Sequence, residues 1–148
     1  MIANYVGRWS QVQQQQLSLC EQIDQMALRL PLHDAGTLDR FADQLLSLLD
    51  RVQTFEEDDL FPVLEAMSPQ MRSLLVTFRS HHVRDRAEAQ IIADAITQPS
   101  AIMASALVEL KQQLESFSES LRRHVQFEEA IAMALFASKR IDERRAIQ

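Results

Sequence analysis

Apolar residues recur along this chain at alternating spacings of three and four, over segments far longer than a β-strand. One segment shows the pattern with Met71, Leu75, Phe78, His82, Asp85, Ala89, Ile92 and Ile96. This spacing places the residues on one face of an α-helix. Only 2 glycines and 4 prolines occur in 148 residues, which excludes turn-rich β-sandwiches and glycine-dependent dinucleotide-binding folds. The pattern therefore predicts an all-α protein.

The few helix-breaking residues divide the chain into four segments. The breaks lie at Pro31–Gly36, Ser68–Pro69 and Pro99–Ser100. Hydroxyl side chains favour N-caps, so we expect caps at Thr37, Ser68 and Ser100. The predicted helices span residues 5–30, 38–66, 69–97 and 101–140. Short connections make neighbours antiparallel, which predicts a single up-down-up-down four-helix bundle domain over residues 1–148. Pro62 should kink or end the second helix near Phe61.

Charge and composition exclude several classes of function. The net charge is −6, so no basic stripe is expected for nucleic acid, whose binding depends on neutralising phosphates. The single cysteine excludes a disulfide framework and a cysteine-rich zinc site. No apolar run approaches a membrane span, and the first residues lack the apolar stretch of a secretory leader. We therefore expect a soluble, cytoplasmic protein.

Ionisable residues interrupt three of the four apolar faces near mid-helix. His124 and Glu128 are one turn apart on the fourth face, Glu56 lies on the second, and His82 on the third. A buried unpaired carboxylate costs several kcal/mol, about 3–5 when its partner is removed, so these groups need partners inside the bundle. Antiparallel helices can bring the four to one level, where nitrogen and oxygen ligands suit iron, manganese or zinc. Asp85 is a possible extra member.

The same layer also has an interpretation without metal. Buried polar residues can form a hydrogen-bonded network that specifies helix register. The protein would then be a structural or interaction bundle, with function carried by a protein partner or a second copy. Side chains expected to make such contacts are Tyr5, Val6, Trp9, Phe127 and Phe136. We expect Glu57 and Asp58 on a solvated face, and His81 towards a neighbouring helix or solvent.

Three segments carry a family resemblance. They are Phe55-Glu-Glu-Asp-Asp-Leu-Phe-Pro62, His82-Val-Arg-Asp85 and His124-Val-Gln-Phe-Glu128-Glu129. In this order they resemble the helix signatures of hemerythrin-like (HHE cation-binding) domains, over about residues 10–137. The resemblance implies a four-helix bundle with a non-haem di-iron centre, bridged by carboxylates and capped by histidines. Family members bind oxygen, sense oxygen or iron, or respond to nitric oxide and oxidative stress.

The chain departs from the family pattern on its first two helices. The second-helix histidine would fall at Val52, and the first-helix histidine near Gln16 or Cys20. The family ligands that remain are Glu56, His82, His124 and Glu128, with Asp85 as a further ligand. The resemblance thus implies a non-enzymatic metal-binding or sensory domain with a reduced site. It would hold a mononuclear iron or an incomplete di-iron centre, or no metal if the site is fully degenerate.

Overall fold

The computed structural model describes residues 2–30, 34–98 and 104–147, and every regular element within these ranges is helical. The elements are α1 (Ile2–Arg29), α2 (Ala35–Phe55), a π-helical turn (Glu56–Leu60), α3 (Phe61–Met67), a 3-10 turn (Pro69–Met71), α4 (Arg72–Ile96) and α5 (Ala104–Ile147). The backbone stays helical from α2 through α3, so these elements form one long second helix. The predicted all-α fold with four helices is confirmed.

The long helices pack antiparallel, with α1 against α5 and α2 against α4 as the most extensive pairs. At one end of α1, Trp9 contacts Phe136. Further along α1, the Cys20 carbonyl accepts a hydrogen bond of 3.2 Å from Ser118 Oγ. Rising numbers on α1 thus meet falling numbers on α5, as in the predicted bundle.

The second helix begins earlier than predicted. Its N-cap is Asp34, whose backbone is extended (φ −78°, ψ 168°) and whose Oδ1 accepts a 2.7 Å hydrogen bond from the Thr37 N–H. Aspartate is as good an N-cap as a hydroxyl residue, and Gly36 is accommodated in the first turn. The assignment of Thr37 as the cap was therefore wrong by one turn.

The later helix starts were predicted with mixed results. Ser68 has the extended backbone of an N-cap (φ −149°, ψ 106°) directly before Pro69, as predicted. Its hydroxyl donates to Gln70 Oε1 at 2.9 Å and makes no capping hydrogen bond. The predicted cap at Ser100 lies outside the described residues.

Pro62 is accommodated by a π-helical turn and does not end the helix. A proline inside a helix lacks the N–H donor, and its ring clashes with the carbonyl four residues earlier, here that of Asp58. The chain widens over Glu56–Leu60, and the Phe61 N–H donates to the Glu56 carbonyl, five residues back. The predicted disturbance near Phe61 is therefore a wider helical turn just before the proline.

The inward face of α5 shifts along its length. After Glu128 the buried residues are Ala132 and Phe136, whereas continuing the alternation of three and four from His124 and Glu128 would bury Ile131 and Leu135, which are half-buried. The buried face of a straight α-helix drifts by about 20° per heptad relative to a 3.5-residue repeat, which accounts for the shift. The helix also extends to Ile147, past the predicted end at residue 140.

The drift overturns part of the predicted contact surface. Phe136 is buried, and its ring meets that of Trp9 edge-on at 6.2 Å between centroids. Neither residue is available to a partner, so their assignment as surface contacts was wrong. Phe127 is 47% exposed, and Tyr5 and Val6 are half-buried.

Two apolar clusters fill the bundle interior, one towards each end. The larger contains Leu45, Ile92 and Leu114; the smaller contains Phe61 and Phe78. Between them lies a layer of buried polar side chains: Gln13, Gln16, Gln53, Glu56, His82, Asp85 and Glu128. The apolar clusters therefore hold the polar layer at mid-bundle. In the described part of the chain, no helix is both long and apolar enough to cross a membrane.

Candidate metal centre

Three ionisable side chains from three helical segments converge in the polar layer. Glu56 stands at the start of the π-helical turn, His82 at the middle of α4 and Glu128 on α5. His82 Nε2 lies 3.1 Å from Glu56 Oε2 and 3.8 Å from Glu128 Oε1. One ligand atom from each residue lies within 4.8 Å of the other two. Their exposed fractions are 0%, 3% and 5%, so the donor set is enclosed.

The imidazole of His82 is held from several sides. Its Nδ1 lies 2.8 Å from Glu57 Oε1, and its ring stacks on that of Phe61 with 5.5 Å between centroids and 17° between planes. The backbone carbonyl of His82 accepts a 3.3 Å hydrogen bond from Gln53 Nε2. The expectation that Glu57 belongs to a solvated face was therefore wrong, because the π-helical turn lets consecutive glutamates reach the same ring. Asp58 is exposed, as expected.

Asp85 and His124 form a second pair and do not join the three converging residues. His124 Nδ1 lies 3.0 Å from Asp85 Oδ2. The His124 ring stacks on His81 at 4.2 Å between centroids and 5° between planes. His81 thus faces the neighbouring helix, which was one of the two orientations predicted for it. The structure brings together three of the five predicted ligands, and a role of the other two in metal binding stays a prediction.

Gln16, one of the two residues at which the first-helix histidine was expected, lies beside the site. Its Nε2 donates to Glu56 Oε1 at 3.1 Å, and Val52 is buried one turn before Glu56. Cys20 lies a turn further along α1, where burial raises the pKa of its thiol to about 11. Of the two positions that the sequence left open, Gln16 is the one beside the site.

Two glutamines of the polar layer were not singled out by the sequence. Gln13 is buried on α1, and Gln53 follows the buried Val52. The amide atoms of Gln13 and the carbonyl oxygen of the Gln53 side chain are buried with no protein hydrogen-bond partner. A run of glutamines on an otherwise apolar helix face was the available signal, since buried amides require partners.

The pKa values of two groups in the site, Glu128 and His82, are both raised. Burial, followed by the charge and hydrogen bond of Glu56 and the charge of Asp85, raises the pKa of Glu128 well above its usual range. Burial alone would lower the pKa of His82, but hydrogen bonds and charges from Glu56 and then Glu57 outweigh it and raise that pKa. The metal-free site therefore retains protons to neutralise its carboxylates.

A bound cation would provide the same neutralisation. Two carboxylates and one imidazole are hard and intermediate donors that suit iron, manganese or zinc. The imidazole already has a carboxylate on its second nitrogen, an arrangement common to metal-binding histidines. The donor set therefore fits a divalent metal ion.

Comparison with known families agrees with this chemistry. The sequence profile of the Hemerythrin HHE cation binding domain matches residues 6–136. The chain belongs to this family. No curated protein and no solved structure matches it. This HHE domain therefore combines the family fold with Glu56, His82 and Glu128 as a buried group able to hold a metal ion.

Proposed function

We propose that this HHE domain binds a single iron ion through Glu56, His82 and Glu128, and that it acts as a sensor and not as an enzyme. The observation that carries the proposal is the convergence of these ligand atoms within 4.8 Å in a buried layer. Nitrogen and oxygen donors of this kind also bind manganese and zinc, and the family resemblance favours iron among them.

The enclosure of the site supports a sensory role. Three protein ligands leave coordination positions for a small ligand, as in other open metal sites. The triad is almost fully buried, which favours a small molecule over an extended organic substrate. The surface groove between α1 and α2, lined among others by Glu21, Arg29 and Arg40, includes none of the three triad residues.

Metal analysis tests the proposal directly. Protein purified from iron-supplemented cells is expected to contain close to one iron per chain, and addition of iron should raise the melting temperature. Glu128→Gln should lose most of the metal, because an amide is a poor replacement for a carboxylate ligand. Glu129→Gln changes the exposed neighbouring residue and should retain it. No metal in the wild-type protein, and no thermal shift with iron, manganese or zinc, would refute the proposal.

A metal-free interaction bundle is the second proposed function, and one observation favours it. The polar groups already contact one another without metal: Gln16 donates to Glu56, His82 lies between two glutamates, and His124 pairs with Asp85. Such a network can specify how the helices align. In this case a protein partner or a second copy of the chain carries the function.

The two proposals predict different responses to chelation and mutation. In the metal-free bundle, a chelator leaves the free energy of unfolding unchanged. His124→Ala should cost about 1–3 kcal/mol, because it leaves an oxygen of the buried Asp85 carboxylate without its hydrogen-bond partner. Sedimentation across a wide concentration range then tests self-association through the exposed Phe127. A loss of stability on chelation would reject this second function.

A further inference from the structure

The contact between Glu57 and His82 is shorter than either contact of His82 with the predicted metal ligands. Glu57 Oε1 is 2.8 Å from Nδ1, whereas Nε2 is 3.1 Å from Glu56 and 3.8 Å from Glu128. The two ring nitrogens thus face different carboxylates. Which nitrogen carries the proton of the neutral ring depends on which carboxylate accepts it.

The π-helical turn makes this double contact available. Consecutive residues of a regular α-helix point about 100° apart, and a π-helical turn, which has more residues per turn, narrows this angle between Glu56 and Glu57. Here the turn begins at Glu56, and Phe61 closes it by donating to the Glu56 carbonyl. Phe61 also stacks on His82, so the same turn supplies both glutamates and the surface that orients the imidazole.

Arg86 fixes the glutamate in turn. Its Nη2 lies 3.4 Å from Glu57 Oε1, the oxygen that also approaches His82. The side chain of Glu57 is only 27% exposed, and the guanidinium beside it adds a charge-assisted contact that restricts where its carboxylate can lie. The order of contacts is therefore Arg86, Glu57, His82 Nδ1.

We infer that Glu57 is a positioning residue for the metal centre: its carboxylate accepts a hydrogen bond from Nδ1–H of the neutral His82 ring, which leaves the Nε2 lone pair directed at the Glu56–Glu128 side. The inference rests on the proposed metal binding. Without Glu57, Glu56 becomes the remaining carboxylate acceptor, and the proton moves to Nε2. Metal binding then requires removal of that proton from the ligand atom itself.

The position of the proton can be measured without metal. Nitrogen–proton NMR correlations of the metal-free protein, at a pH where the ring is neutral, distinguish Nδ1–H from Nε2–H. The wild-type protein should show Nδ1–H at His82, and Glu57→Ala should show Nε2–H. Glu57→Gln retains an oxygen acceptor and should restore Nδ1–H. Nε2–H in the wild-type protein, or an unchanged tautomer in Glu57→Ala, overturns the inference.

Metal affinity supplies the second measurement. Loss of an outer-shell partner weakens metal binding by about 10- to 100-fold, so Glu57→Ala should lose affinity for zinc or iron(II) by that factor in a chelator competition. Asp58→Ala removes the neighbouring exposed carboxylate and should bind like the wild-type protein. Equal affinities in Glu57→Ala and Asp58→Ala overturn the inference. If the wild-type protein binds no metal, the proposed function fails, and the tautomer still decides the role of Glu57.

Arg86→Met separates positioning from general surface charge. This variant removes the guanidinium but leaves the Glu57–His82 contact, so Nδ1–H should persist and affinity should fall less than in Glu57→Ala. A tautomer change as complete as that of Glu57→Ala would assign the effect to the arginine and overturn the inference.

Discussion

Restoring histidines at the two departures from the family pattern should create a second metal site. The double variant Val52→His with Gln16→His places imidazoles one turn before Glu56 and at the residue that contacts its Oε1. Both original side chains are buried, and Gln16 lies 3.1 Å from Glu56. We expect the metal content to rise from about one to about two ions per chain, as the family resemblance implies.

Each of the two substitutions should lower the free energy of unfolding of the metal-free protein. A larger ring at Val52 overpacks the interior by about 1–3 kcal/mol. Replacing Gln16 removes a donor from a buried carboxylate oxygen, which costs about 1–3 kcal/mol more. The total of about 2–6 kcal/mol falls within the usual stability of a domain, about 5–15 kcal/mol, so the variant should fold.

Metal binding should reverse part of that loss. A ligand at 100 times its dissociation constant adds about 2.7 kcal/mol to the folded state, which for a chain of this size raises the melting temperature by roughly 5–10 °C. Metal analysis and thermal melts with and without iron or zinc provide the assay. The gain should be larger than that of the wild-type protein under the same conditions.

Val52→His with Cys20→His is the matched control. Cys20 is buried, but its neighbour is Ser118 on α5, and Gln16 remains as the residue beside Glu56. This variant should not acquire the second ion. A second ion in the Cys20 variant, or unchanged metal content in a folded Gln16 variant, would refute the assignment of Gln16 to the missing ligand position.

Two further predictions concern the interior. Phe136→Ala should lower the free energy of unfolding by about 3–5 kcal/mol in urea denaturation, whereas Phe127→Ala should cost about 1 kcal/mol; equal losses would contradict the burial of Phe136. The metal-free protein should lose stability as the pH rises above about 6.5, because the pKa values of His82 and Glu128 are both raised on folding. The contribution of protonated His82 is complete below its unfolded pKa of about 6.5 and disappears as the pH rises through the raised value, and protonated Glu128 acts with the same sign. The slope should reach about 1.4 kcal/mol per pH unit for each extra proton bound by the folded state. Urea denaturation with chelator present checks the slope, which Glu128→Gln should reduce and Glu129→Gln should leave unchanged; stability that rises with pH would contradict the sign.

The sequence alone determined which face of most helices is buried. Every residue of the inward face predicted from Met71 to Ile96 is buried in the structure. This success has a local cause: helix periodicity depends only on residue spacing, and apolar side chains at that spacing must be removed from water together. The same pattern identified Glu56, His82 and Glu128, because they are ionisable residues on otherwise apolar faces.

Only the tertiary structure decided how the polar side chains pair. The sequence placed His124, Asp85 and Glu128 on inward faces, but the axial alignment of α4 with α5 joins His124 to Asp85 and leaves Glu128 beside His82. The choice between Gln16 and Cys20 likewise depended on the alignment of α1 with the second helix. Relative shifts and rotations of helices arise from contacts between residues distant in the chain, which residue spacing within one helix does not encode.

The role of Glu57 shows the same division at the scale of a single turn. Pro62 signalled a disturbance near Phe61, but regular helical geometry placed Glu57 away from the interior. The helix relieved the proline by widening over Glu56–Leu60, and this widening brought a second carboxylate to His82. Phe61, which closes this turn, packs against His82 and Phe78 on α4. Contacts of this kind join residues distant in the chain, so residue spacing within one helix does not encode them.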